Sequence, residues 1–313
     1  MISRRLLRIK VLHILYSYLN SSDDNNRKYE KDLDFSIEKS YDLYHLFFIL
    51  LLDVKEYALK RMELARNKRV PSEKDLNPNL RFVNNRVIAQ LANTNRLLNH
   101  ADTHKLNWVN NPELVKNIYQ NLLDSPAYDK YMIVNDDSYK NDKEFVVSFF
   151  SDYLVNSDLL YQILEESSIF WNDDIEFVLS MNVKSIQKAK EEAESLSIFR
   201  LFKNEEDEEF AKKLFRLTTI KHKEYSELIQ KNIKNWDVDR IAQMDLIVME
   251  MAVTEILNFT SIPVKVSLNE YIELVKFYST DKSSYFINGV LDKIINQLKE
   301  EGKIIKAGRG LKE

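Results

Sequence analysis

Glycine occurs only four times in these 313 residues, and never before residue 289; proline occurs five times. A chain this long with so few helix breakers is expected to be helical throughout. The same scarcity removes the glycine-rich phosphate loop, so a Rossmann-type dehydrogenase or methyltransferase is excluded. The length allows two domains or one large one. There is no cysteine. Disulfides and thiolate zinc or iron–sulfur sites are therefore ruled out, and the composition suits a reducing cytoplasm.

The longest apolar run, Leu46 to Leu52, is far short of the roughly 20 residues a membrane helix needs. Arg8, Lys10 and His13 interrupt any signal-peptide core at the N-terminus. The expectation is a soluble, cytoplasmic protein with no membrane partner. The net charge of −4 does not mark a nucleic-acid binder as a whole. Two stretches run against that total. Arg4, Arg5, Arg8 and Lys10 lie together with no acid among them, and Lys299, Lys303, Lys306, Arg309 and Lys312 follow residue 298.

Residues 3 to 19 have helical spacing, with Leu7, Val11, Leu15 and Tyr18 as the buried stripe. A polar gap, Ser21 to Arg27, separates them from a second long helix over about 35–67. Four of the five prolines (Pro71, Pro78, Pro112, Pro126) fall between 68 and 140, which reads as shorter helices joined by loops. Beyond 142 the chain echoes itself. Asp142, Glu144, Phe145, Phe150, Trp171 and Asp174 align with Asp207, Glu209, Phe210, Phe215, Trp236 and Asp239 at a constant offset of 65. Either a helical unit is duplicated, or two amphipathic helix pairs are alike by composition. No fixed period runs through the whole chain, so a solenoid is not expected.

The densest local chemistry lies at the C-terminal end. Pro263 stops one helix. Ser267 and Glu270 have the spacing of a capping box, followed by Leu268, Ile272 and Val275 at helical spacing. Ser279, Thr280 and Asp281 break the pattern, and Phe286 to Lys293 opens a final helix. Gly289 lies inside that helix, where Gly costs about 1 kcal/mol relative to Ala. It reads first as a place where another backbone packs closely, and second as a ligand contact.

The segments IPVKVSLNEYIELVKFY, STDKSS and YFINGVLDK, consecutive from residue 262, resemble the C-terminal signature of the NusB family of transcription antitermination factors. The likeness extends more weakly over Asp207 to Asn258. It returns at the start, where Arg4, Arg5, Arg8 and Tyr16 look like the family's first helix. It implies an all-α, NusB-like bundle of two subdomains with an inserted helical region. Residues 1–20 would be the first helix of the core, 21–204 the helical elaboration, 205–305 the rest of the core and 306–313 a basic tail.

The resemblance also implies roles. Arg4, Arg5 and Arg8 would contact RNA. Cations in a first helical turn are mildly unfavourable unless an anion docks there, and the arginine fork fits phosphate. The plain alternative is a solvated basic terminus. Phe286 would lie against an RNA base, with Lys282 and Ser283 near the phosphates and Asp281 as the acid of the loop; the alternative is a core Phe. Asp245 and Tyr16 would face NusE, the ribosomal small-subunit protein; the alternative is an Asp245 that only meets solvent. Two positions depart from the family pattern, Leu6 where a third arginine is common and Glu250 where a basic residue is common.

The five histidines are not expected to form a metal site. His100 and His104 are four apart, but no Glu accompanies them as in a zinc protease, and they stand in an Asn-rich, loop-like stretch. No cofactor and no catalytic residue set is expected. The function implied is RNA binding in antitermination. The protein would pair with NusE on single-stranded, boxA-type RNA of nascent ribosomal transcripts, within the RNA polymerase antitermination complex. The alternative is a protein-interaction scaffold on the same fold that has lost RNA binding.

Overall fold

The structure, a computed structural model, describes residues 1–23, 25–134, 136–233 and 241–311, with the backbone alone at 281, 282 and 309. Among the described residues every regular element is a helix, and none is long and apolar enough to cross a membrane. The chain divides into two compact units. One comprises Met1 and Glu38–Leu201; the other comprises Ile2–Ile37 and Phe202–Glu313.

In the first unit the centre is the long helix α2 (Asn26–Arg66), whose residues from 38 onward belong here. The expected second helix thus starts nine residues earlier than the sequence reading placed it, within the polar gap. Its middle is apolar on nearly every side, and Tyr44, Phe47, Phe48, Leu50 and Leu51 have essentially no exposure. A helix that is hydrophobic all round has to be wrapped. The wrapping elements are α3 (Glu73–Leu76), α4 (Arg86–Ala92), α5 (Asn95–His104), α6 (Pro112–Leu123), α7 (Pro126–Ile133), α8 (Tyr139–Ser148), α9 (Asp158–Ser167) and α10 (Ile175–Gln187). They start where the sequence supplies caps. Ser72, Asn85, Ser125, Ser138 and Ser157 each accept from an amide of the following first turn, and Pro112 and Pro126 occupy first-turn positions where no amide hydrogen bond is lost.

In the second unit α1 (Arg4–Leu19), α11 (Glu205–Asn232), α12 (Gln243–Asn258), α13 (Val264–Tyr278) and α14 (Asp281–Glu300) pack together. Helix α12 is the central rod, buried along nearly its whole length from Ile247 to Ile256. Around it α1 contributes Leu7, Val11 and Leu15 as its sequence predicts, all fully buried, with Tyr18 partly covered.

Several expectations are corrected here. Ser267 and Glu270 do not form a capping box, because Pro263 is the N-cap and α13 has already made its first turn before Ser267. The buried stripe of α13 is Ser267, Tyr271, Leu274 and Val275, not the set anchored on Leu268 and Ile272. The core it faces is partly polar, so apolar periodicity misplaces the stripe. Gly289 has nothing within 4 Å of where a Cβ would stand, so no described backbone packs on it. His100 and His104 lie on α5 rather than in a loop.

The offset of 65 pairs buried with buried at Phe145/Phe210 and Phe150/Phe215. The local structures differ, however. The first set runs from α8 into a π-helical turn at Phe149–Tyr153, while the second lies within the unbroken α11. Trp236 and Asp239 lie outside the described residues.

Candidate nucleic-acid interface

Ser3 caps α1 by accepting from the Leu6 amide at 3.2 Å, which puts Arg4, Arg5 and Arg8 on its first two turns. Each arginine meets carboxylates of its own chain. Arg4 donates to Asp207 at 2.8 Å and pairs with Glu206 at 3.0 Å. Arg5 forms a two-pronged pair with Glu270, at 3.0 and 2.8 Å. The unfavourable placement of cations in a first helical turn is thus relieved from within.

Arg8 is 3% exposed. Its guanidinium grips Glu255 of α12 at 2.8 and 2.6 Å, and it lies over the rings of Phe210 and Tyr271. The Ser267 hydroxyl donates to the same carboxylate at 2.7 Å and the Tyr271 hydroxyl at 2.9 Å. The Glu255 oxygens therefore receive four donors, which fills the acceptor capacity of a buried carboxylate. Burial alone would lower the Arg8 pKa; the hydrogen bond and attraction of Glu255 override it and raise it. Burial pushes the Tyr271 hydroxyl well above its ordinary value. Arg8 is committed to joining α1, α12 and α13, which leaves Arg4 and Arg5 as the arginines with exposed surface. Lys10 is buried as well.

Arg4, Arg5 and Arg8 line a groove of about 500 Å³ with Ile262, Pro263, Val266 and Glu270. The Arg5 side chain is half exposed there. Burial alone would raise the Glu270 carboxyl, but Arg5 and Arg8 outweigh it and hold it below the usual carboxylate range. An exposed pair of this kind contributes at most about 1 kcal/mol, so a phosphate could take the place of Glu270.

The remaining expected RNA residues lie on α14 rather than in a loop before it. Thr280 caps that helix, with the Ser283 amide 3.3 Å from its hydroxyl. The Ser283 hydroxyl is 3.0 Å from the same oxygen, so it is engaged in the cap. The Lys282 side chain, like that of Asp281, lies outside the described residues. Phe286 is partly buried, its neighbour Tyr285 is 83% exposed, and Gly289 is exposed one turn on.

The expected protein-binding residues separate by exposure. Tyr16 is 42% exposed on α1. Asp245, in the first turn of α12, is 4% exposed, so it does not simply face solvent. Its Oδ1 is buried with no hydrogen-bond partner among the described residues. Glu250 is fully buried and paired with His222 Nδ1 at 2.7 Å. Sequence reasoning missed the acids that answer the arginines: Glu206, Asp207, Glu255 and Glu270. One signal was present. Glu255 stands in an apolar helical run, and a charge there needs a buried counter-charge.

These features define an all-α bundle whose first helix is pinned by ion pairs to three others and whose surface presents a cation groove and an aromatic helix start. Residues 174–296 match the model of the NusB family. The chain is 46% identical over 103 residues to the transcription antitermination protein NusB of Salinibacter ruber, covering 33% of this chain and 64% of that protein. It is 48% identical over 83 residues to that of Chloroherpeton thalassium (26% and 39%), and 50% identical over 72 residues to that of Natranaerobius thermophilus (23% and 52%). Over this stretch the chain is similar to the NusB family. It spans less than two thirds of the length of these relatives. No solved structure matches it.

Proposed function

We propose that this protein is an RNA-binding transcription antitermination factor that performs no chemistry. It binds single-stranded, boxA-type RNA and pairs with NusE inside the RNA polymerase antitermination complex. The observation that carries this reading is the 46–50% identity to proteins named for antitermination. The groove beside Arg5 gives the reading a physical basis. Arg4 and Arg5 meet phosphate, Arg5 by exchanging Glu270 for it. Phe286 offers its ring to a base from the start of α14, with Ser283 and Lys282 beside it. Arg8 holds α1 in place and contributes no direct contact. Asp245 and Tyr16 meet NusE, whose donor would satisfy the orphaned Asp245 oxygen.

The test is a titration of the purified chain, with and without NusE, against boxA RNA and a scrambled control. Preference for boxA that strengthens with NusE is expected. With two cations on phosphate the log–log salt slope is about −1.4, at about −0.7 per contact. Phe286→Ala is expected to weaken RNA binding by about 1–3 kcal/mol with little change in melting. A large loss of melting without a specific RNA defect would make Phe286 a core residue. Asp245→Lys is expected to abolish the gain from NusE and leave RNA binding by the isolated chain unchanged.

One observation favours a second reading, a protein-interaction scaffold on the same fold. All three arginines of α1 already have carboxylate partners. NusE binding without any RNA binding, or a salt slope near zero, would establish that reading.

A further inference from the structure

Outside the family-matched stretch, the first unit gathers three of the chain's five histidines around one buried acid. Helix α5 carries His100 and His104 one turn apart, on one face. Helix α2 brings Asp42 beneath them. Asp42 Oδ1 is 2.9 Å from His100 Nε2 and 3.0 Å from His104 Nδ1. The other carboxylate oxygen of Asp42 accepts from Lys39 at 2.9 Å. One ligand atom from each of Asp42, His100 and His104 lies within 4.8 Å of the others.

The rings form a stack, with His45 and His100 at 4.1 Å and His100 and His104 at 4.0 Å between centroids. His45 is wholly buried. Its Nδ1 is 2.8 Å from the Tyr41 carbonyl oxygen. A carbonyl only accepts, so that nitrogen carries the proton and Nε2 is left with a bare lone pair. Nε2 is buried and has no partner among the described residues. His45 thus places an unmatched nitrogen lone pair beside the other two imidazoles.

We infer that Asp42, His100 and His104 form a binding site for a first-row divalent cation such as Zn²⁺, with a fourth position open to water. Neutral imidazoles and one carboxylate are the donor set such ions take when no thiolate is available. The two contacts to Asp42 require little adjustment, and the imidazole donors lie within 4.8 Å of each other. Ligands about 2.0–2.1 Å from a tetrahedral zinc stand about 3.3 Å from one another, so the donors on Asp42 would open by about 0.4 Å as the ion replaces the hydrogen bonds. Lys39 on the second carboxylate oxygen and His45 stacked on His100 orient the first ligands, the role that outer partners play in metal sites. The side chain of His104 remains about a third exposed, which leaves an entry path. The ion would tie α5 to α2 through residues that lie outside the family-matched stretch, so this inference is independent of the RNA reading.

The test uses the full chain, freed of metal with a chelator and titrated calorimetrically with zinc chloride, then with cobalt chloride under visible spectroscopy. The expected result is one ion per chain, a raised melting temperature, and cobalt bands of a four-coordinate nitrogen–oxygen site. With no cysteine present, no thiolate band can confuse that spectrum. His104→Gln, chosen because His104 is the most exposed ligand, is expected to weaken binding by more than about 100-fold, beyond the 10–100-fold typical of outer-shell changes. His222→Gln, at a histidine paired with a different buried acid, is expected to bind as wild type. Absence of stoichiometric binding would overturn the inference, as would His104→Gln binding unchanged. The wild-type calorimetry and cobalt spectrum decide the matter even if a variant fails to fold.

Discussion

The buried middle of α2 and the buried rod α12 do the same architectural work with different chemistry. Around α2 the polar links are mostly neutral. Trp108 donates to the Leu46 carbonyl at 3.0 Å, Asn182 to the Tyr44 carbonyl at 2.9 Å and Trp171 to the Lys39 carbonyl at 2.8 Å. Helix α12 instead buries three carboxylates at intervals of five residues, Asp245, Glu250 and Glu255. Their satisfaction is graded. Glu255 has four donors, Glu250 has His222, and one oxygen of Asp245 has none among the described residues. Neutral links contribute about 1 kcal/mol each and fail separately. A buried charge network fails together, because removing one partner strands the other. Of these two helices α12 is thus the one with the more brittle surroundings, and its least satisfied acid stands at the end where we place a partner.

The largest effect expected from this contrast is at Glu255. Glu255→Ala leaves the Arg8 guanidinium buried without a counter-charge, and the Ser267 and Tyr271 hydroxyls without their acceptor. A loss of about 3–5 kcal/mol is expected in urea unfolding. Converting Arg8 and Glu255 together to Leu is expected to be less damaging than Glu255→Ala alone, since no charge is then stranded. Equal damage from both would show that the network acts through packing rather than charge.

Asn182→Ala tests the other side of the comparison. Its side chain is fully buried, and its amide oxygen has no hydrogen-bond partner among the described residues. Truncation removes one neutral hydrogen bond and opens a small void, with an expected cost of about 1–2 kcal/mol. A loss as large as that of Glu255→Ala would erase the distinction between the two cores.

How much of this was legible follows the same division. Helicity could be read directly, because glycine and proline act locally and their scarcity needs no tertiary partner. The apolar stripe of α1 was legible because Leu7, Val11 and Leu15 face an apolar wall. The stripe of α13 was not, because Ser267 and Tyr271 turn inward to serve Glu255, and hydrophobic periodicity cannot see a polar core. The fate of the arginines was hidden by distance: Arg4 finds Asp207 across 203 positions of sequence. The histidine cluster was hidden likewise. The spacing of His100 and His104 was visible, but Asp42 comes from another helix 58 residues away.

The smallest predicted effect, and the one that depends on pH, lies between these extremes at His222 and Glu250. The Glu250 hydrogen bond raises the His222 pKa above its ordinary 6.5. Burial raises the Glu250 carboxyl above its ordinary 4.5, with His222 pulling it partly back. Both groups therefore hold protons more tightly in the folded chain than in the unfolded one. With more protons bound in the folded state, stability falls as pH rises. The Glu250 contribution begins to be lost just above 4.5, and the His222 contribution is complete below 6.5 and lost as pH climbs through the raised value. The His222 side chain is 44% exposed, so water screens the pair and its worth is below about 1 kcal/mol. His222→Gln is expected to melt below wild type at about pH 6, with the gap shrinking as pH climbs through the raised imidazole value, above which imidazole and glutamine are alike neutral beside the carboxylate. A gap that stays constant over that range, or widens, would mean that His222 supports α12 by shape alone and that the charge on the middle acid of this helix is held by something else.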